Sequence, residues 1–167
     1  AVSYYKQAIK LSTDLGNKQN EGVQLGNLGD LLIELNQIEE AEQHLIDAIE
    51  ICAPIIPTAS GAFLGSLAWV ASQQQKMDEA LKHLQEGEPL VRVYPLEHAK
   101  FLCKKSKVLH LAHQKEEALK ALEQAKTIAN SINTKDDSEL SKIITESQRF
   151  ISSTSSNNYS KTHETDS

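Results

Sequence analysis

The sequence predicts an all-α protein, a superhelix of antiparallel helix pairs closed by a capping helix. Three observations carry that prediction. Four segments repeat one pattern, a small residue, a bulky one and a second small one: Ala1–Tyr5–Ala8, Ala41–Leu45–Ala48, Ala80–Leu84–Gly87 and Ala118–Leu122–Ala125. Their leading alanines lie 40, 39 and 38 residues apart, and a fixed period of this size marks a repeat architecture. The repeated residues are three and four apart, which places them on one face of a helix. The chain has only seven glycines, four prolines and 5% aromatic residues. That composition argues against a sandwich or barrel of many short strands.

Each element follows from this frame. Residues 1–16 read as a half repeat, a single B helix without its A helix. Ahead of the next three B helices stands a second apolar pattern: Leu25, Leu28, Gly29 and Leu32; Leu64, Leu67, Ala68 and Ala71; Leu102 and Leu109 with Ser106 between. Each becomes an A helix, and small residues at the alanine and glycine positions let paired helices approach closely. Full repeats are expected at about 20–53, 58–92 and 96–132. Gly16-Asn17 suits a left-handed helix end. Asn36-Gln37 and Gln74-Gln75 fall at A-to-B turns, and acids open the B helices at Asp78-Glu79 and Glu116-Glu117. Pro54, Pro57, Pro89 and Pro95 fall at or near helix boundaries, where proline is tolerated. Asp136-Asp137-Ser138 supplies an N-cap for a last helix, about 137–151, whose apolar face is Leu140, Ile143, Ile144, Phe150 and Ile151. The Ser/Thr/Asn-rich residues 152–167 have almost nothing to bury and are expected to be a disordered tail. A half repeat leaves an apolar face uncovered, so the chain is expected to be the C-terminal piece of something larger.

Leu25-Gly26-Asn27-Leu28-Gly29, followed by Glu39-Glu40-Ala41, Leu45 and Ala48, resembles the tetratricopeptide repeat signature. The longer spacing, with Leu15-Gly16-Asn17-Lys18 as linker, is similar to the variety of roughly 40 residues found in Leu-Gly-Asn-rich polarity adaptors, kinesin light chains and many bacterial signalling proteins. The likeness covers residues 1 to 133. Residues 97–140 also resemble the C-terminal end of repeat arrays attached to bacterial serine/threonine kinases and regulatory ATPases. Two departures stand out: Lys105-Ser106 replaces the usual Leu-Gly pair, and Gly87 replaces the second alanine of one B helix.

Motifs for catalysis are missing from the sequence. It has no GxxxxGK[ST], GxGxxG, GxSxG or HExxH. His110 and His113 are three apart on a helix but have no acid or third ligand beside them, so no metal and no other cofactor is expected. The reading is therefore a non-enzyme. A formal net charge of −6 disfavours nucleic acid, which calls for a basic excess. No run of 18 apolar residues and no basic-then-apolar leader is present, so no membrane partner is expected. Cys52 and Cys103 lack any metal or disulfide spacing and read as reduced thiols of a cytoplasmic protein.

What the resemblance implies is a scaffold that binds a peptide or protein segment in the groove lined by its A helices. Carried over position by position, the groove residues are Asn27 and Asp30 of the first full A helix, Ser66, Trp69 and Gln73 of the second, and Lys100, Lys104 and Lys107 of the third. Asn27 matches the asparagine that, in the family, bonds the backbone of an extended peptide. Gly26, Ala62 and Gly65 are read as leaving room for that chain, and Trp69, the only tryptophan, as its anchor. Lys100, Lys104 and Lys107 form one stripe with no acid between residues 99 and 114, which fits an acidic segment or a C-terminal carboxylate. A true carboxylate clamp is not expected, because Ser66, Gly26 and Asp30 stand where that subgroup has asparagine, lysine and asparagine. Two alternatives remain. One is a sensory or regulatory region of a larger bacterial kinase or ATPase. The other is a self-association module forming a homodimer through the open N-terminal half repeat.

Overall fold

The computed structural model describes residues 1–133, 135 and 138–156. They form eight helices: α1 Val2–Asp14, α2 Lys18–Glu34, α3 Ile38–Cys52, α4 Pro57–Gln73, α5 Met77–Val91, α6 Pro95–Leu111, α7 Lys115–Ser131 and α8 Glu139–Ser156. Successive helices pack as hairpins, α2 with α3, α4 with α5 and α6 with α7. The A helices α2, α4 and α6 touch one another in a row, which α8 continues by packing on α6 and α7 as α6 packs on α4 and α5. The chain is thus an all-helical solenoid of the tetratricopeptide kind.

The turns show why the helices stop where they do. Each A-to-B turn has one residue in the left-handed region: Asn36 at φ 59°, Gln75 at 62° and His113 at 61°. The turn then closes by a pair of backbone bonds, as in Asn36 N–H to Ile33 O and Gln37 N–H to Leu32 O. These bonds satisfy the last carbonyls of the A helix and offset the cost of a left-handed conformation. Gly16, at φ 66°, serves the same role after α1, and the Asn17 side chain then caps α2 by accepting from the Asn20 N–H at 3.0 Å. Pro57 and Pro95 occupy first turns of A helices. Pro89 lies inside α5, where it gives up one helical hydrogen bond near the C-terminal end.

At the C-terminus the helix differs from expectation. Ser138 is its cap, accepting from the Ser141 N–H at 3.1 Å, while Asp136 and Asp137 lie outside the described residues. The helix runs on to Ser156, into the stretch expected as tail; residues 157–167 lie outside the described residues. Extension past 151 adds a backbone bond per residue with no new nucleation cost. Ser153 turns its hydroxyl back onto the Phe150 carbonyl at 3.1 Å instead of competing with the helix.

Three apolar clusters follow one another along the stack. The first joins α1 to α4 around Leu28, Leu32 and Leu45, the second joins α4 to α6 around Ala68, Val91 and Phe101, and the third joins α6 to α8 around Leu102, Leu122 and Leu140. Each fully buried leucine contributes about 1.5–3 kcal/mol. The outer side of α1 is left open, with Tyr4, Leu11 and Leu15 exposed.

What sets the distance between A helices is a glycine facing a phenylalanine. A Cβ on Gly26 of α2 would overlap the Phe63 ring of α4, and one on Gly65 of α4 would come within 2.8 Å of the Phe101 ring of α6. Phe101 also covers Gly87, whose Cβ position is 2.9 Å from the Gly61 carbonyl, so Gly87 is where α4, α5 and α6 converge. The glycines read from sequence as room for a bound chain are therefore filled from within, each by an aromatic ring of the next A helix. Gly26→Ala is expected to lower stability by about 1–3 kcal/mol through overpacking, seen as a lower denaturant midpoint at unchanged slope. Gly16→Ala, with open space around it, is expected to act only through its backbone angle.

Candidate functional site

The A-helix face carries all eight residues expected to bind a ligand, and the structure divides them into two groups. Asn27 on α2 is half-buried and Gln73 at the end of α4 is exposed, and neither side chain hydrogen-bonds another described residue. Their carboxamides each carry two donors and an acceptor, which suits the backbone of an extended chain.

The other six are already engaged. The Ser66 hydroxyl donates to Asp30 Oδ1 at 2.5 Å and accepts from Lys104 Nζ at 2.5 Å, and Lys104 lies 3.6 Å from the same carboxylate. One polar chain thus links α2, α4 and α6 through a fully buried hydroxyl. Ser66 stands one repeat after Asn27 and one before Lys104. Lys100 reaches across to Glu139 of α8 at 3.1 Å. Lys107 places its ammonium 4.6 Å from the centre of the Trp69 ring, a cation–π contact. Phe150 of α8 meets the same indole edge-on, with centroids 5.4 Å apart, and meets His110 at 6.1 Å.

The electrostatics follow from that packing. Burial, with the neighbouring Lys104 charge, pushes the Lys107 ammonium below its ordinary value, while Cys103 and Glu146 pull the other way. Burial pushes the Cys103 thiol up to about 11, against a hydrogen bond with Ser147 and the charges of Lys107 and Lys104. At neutral pH it is a thiol and a poor nucleophile. Among the described residues no group of three His, Cys, Asp or Glu side chains could hold a metal ion, and no helix is long and apolar enough to cross a membrane.

A second polar cluster was missed from sequence. Lys105 occupies the slot of Leu28 and Leu67, yet it sits in the stack because Glu88 of α5 meets its ammonium at 2.6 Å. His98 Nε2 lies 3.3 Å and Arg92 3.9 Å from the other oxygen of that carboxylate. A cleft of about 380 Å³ opens beside the pair, with Leu81, Leu84 and Leu109 in its walls. The signal was present: a lysine in a leucine slot demands an acid opposite. The sequence alone did not say which of the many acids it was. Next to it, Ser106 fills the Gly29 and Ala68 slot by turning its hydroxyl onto the Cys103 carbonyl at 2.8 Å.

A family model described as the MalT-like TPR region, TPR being the tetratricopeptide repeat, matches residues 1–148. No curated protein matches the chain.

Burial opposes ionisation of Glu88, but the hydrogen bonds and charges of Lys105 and His98 outweigh it and hold the carboxyl below its ordinary 4.5. A depressed folded value means that the stabilisation is complete above 4.5 and is lost as pH falls through the folded value. Stability measured by denaturant titration is expected to decline on acidification below about pH 5, with a shallower decline in Glu88→Gln. At pH 7 that variant is expected to lose about 1–3 kcal/mol, since it leaves Lys105 without its counter-charge. Equal stability and equal pH slopes in the two proteins would show the cluster to be inert.

Proposed function

The chain belongs to the MalT-like TPR region family, and from that premise we propose that it is a non-catalytic scaffold binding a peptide or protein segment along its A-helix face. Repeats of this kind bind proteins, and the region is not itself catalytic. The observation that carries the finer reading is the unspent pair Asn27 and Gln73, two carboxamides on neighbouring A helices at the part of the face that α8 leaves uncovered. Asp30 and Trp69 border them, each with one side already held, Asp30 by Ser66 and Trp69 by Lys107 and Phe150. An extended segment lying across α2 and α4 would find backbone partners in the amides and apolar contact at the edge of the indole. The reading places the protein in the cytoplasm.

A regulatory reading accompanies it. MalT, from which the family takes its name, is a bacterial ATPase transcriptional regulator with a TPR region. By that likeness the chain would serve as the sensory region of a larger bacterial signalling protein, and ligand binding on the A-helix face would be its input.

The test is selection of random peptides against the full chain, followed by affinity measurement on two variants. Ligands of the proposed face are expected to weaken about tenfold or more on Asn27→Ala with Gln73→Ala, about 1.4 kcal/mol, and to hold on Lys82→Ala, an exposed B-helix residue. Peptides indifferent to the first change and sensitive to the second would move the site to the other side of the solenoid.

A further inference from the structure

Two lysines of the stripe, Lys100 and Lys107, and the tryptophan, taken as ligand contacts from the sequence, face one element of the chain itself, α8. Its inner side buries Leu140 and Ile151 in the last apolar cluster. The neighbouring row presents Glu139, Glu146 and Phe150, spaced by seven and four residues. Glu139 pairs with Lys100 at 3.1 Å, and Phe150 packs on Trp69 at 5.4 Å beside the Lys107 ammonium. Glu146 is close enough to Lys107 to favour its charged form. An acid, a second acid and an aromatic ring therefore face two lysines and an indole. The match is in charge and in ring contact, and it spans from α4 over α6 to α8.

That arrangement specifies a ligand chemistry. Trp69 and Phe150 come from helices two places apart in the row, whose backbones are not in contact, so their meeting is made by side chains alone. The first two clusters, which run from α1 to α6, contain no α8 residue, so releasing α8 opens only the last one. A helix repeating the acid–acid–aromatic row beside an apolar face like that of Leu140 and Ile151 satisfies the same partners.

Resting on the reading of the A-helix face as a binding surface, we propose that its Lys100–Lys107–Trp69 end is a receptor for an acidic amphipathic helix from a partner. That helix carries carboxylates seven residues apart and an aromatic residue four further on, and α8 holds the receptor in cis until it exchanges. A resident occupant lowers the apparent affinity for a competitor by the fraction of time it is away.

The probe is a synthetic peptide of residues 138–156, titrated into the full chain and into a Phe150→Ala, Glu139→Lys variant. Trp69, the sole tryptophan, is the fluorescent reporter. The variant is expected to bind the peptide about tenfold more tightly than the wild-type chain, with a shift in emission and a loss of affinity on added salt. A peptide carrying Phe150→Ala is expected to lose most of that gain. Equal affinity for the two chains, or binding that leaves Trp69 emission unchanged, overturns the proposal. Should circular dichroism show the double variant unfolded, Phe150→Leu keeps an apolar side chain and carries the same comparison, with a gain of about threefold. Selected peptides that still depend on Asn27 and Gln73 while the helix peptide fails would sink the exchange and leave the scaffold reading standing.

Discussion

Everything about this face depends on how closely successive A helices approach, and that is set by a phenylalanine lying on a glycine. Phe63 on Gly26 and Phe101 on Gly65 each replace a layer of side chains by one flat ring against backbone. Interiors packed to crystal-like density leave no slack at such points, so the spacing of α2, α4 and α6 is fixed to within a methyl group. The close spacing is what brings Asp30, Ser66 and Lys104, from three different helices, into one hydrogen-bonded chain. It also lets Trp69 of α4 reach past α6 to Phe150 of α8. With wider helix spacing these residues would stand apart as a solvated row, which is how the sequence presents them.

Charged residues inside the stack obey the same geometry. Lys105 in a leucine slot would be costly alone, yet with Glu88, His98 and Arg92 around it the cost is met locally. Three of the four residues come from one stretch of the chain, 88 to 98, that forms the end of α5, the turn and the start of α6. Charge from Lys105 and Arg92 exceeds that of Glu88, so the cluster keeps a positive edge beside its apolar cleft. Removing one member of such a cluster leaves the others as uncompensated charges, which is why the four residues act as a unit.

The period of about 40 residues, the helix faces and the turns were all legible, because each rests on spacing within a single helix or on one residue's backbone preference. Asn36, Gln75 and His113 take left-handed angles at equivalent turns even though Gln75 has no preference for them; there the repeat located what propensity would not. The candidate face was legible as a set of positions and illegible as a surface. Gly26 looks the same in a sequence whether a ligand or Phe63 fills the space above it. Lys100, Lys104 and Lys107 form a stripe on one helix, but their partners Glu139, Asp30 and Trp69 are 39, 74 and 38 residues away. Only the relative placement of α2, α4 and α8 reveals that the stripe is already engaged. The last helix was visible from its apolar face, while its continuation to Ser156 depends on a core already formed at Ile151.

The two halves of the A-helix face therefore have different standing. Over α2 and α4 the polar groups Asn27 and Gln73 keep their hydrogen-bonding capacity, and a segment arriving there adds contacts without breaking any. Over α6 each lysine already has a partner, so a ligand there must first replace an equal interaction. Exchange of equals contributes little net free energy, because the new ion pairs only restore what the old ones gave. What can tip it is the aromatic contact, since burying a ring against Trp69 counts fully only when the competing Phe150 has left. A ligand spanning both halves would take its affinity from the open amides and spend part of it on releasing α8. Occupancy of the groove would then be felt at the C-terminal end of the solenoid, coupling two ends of the chain through side chains already in contact.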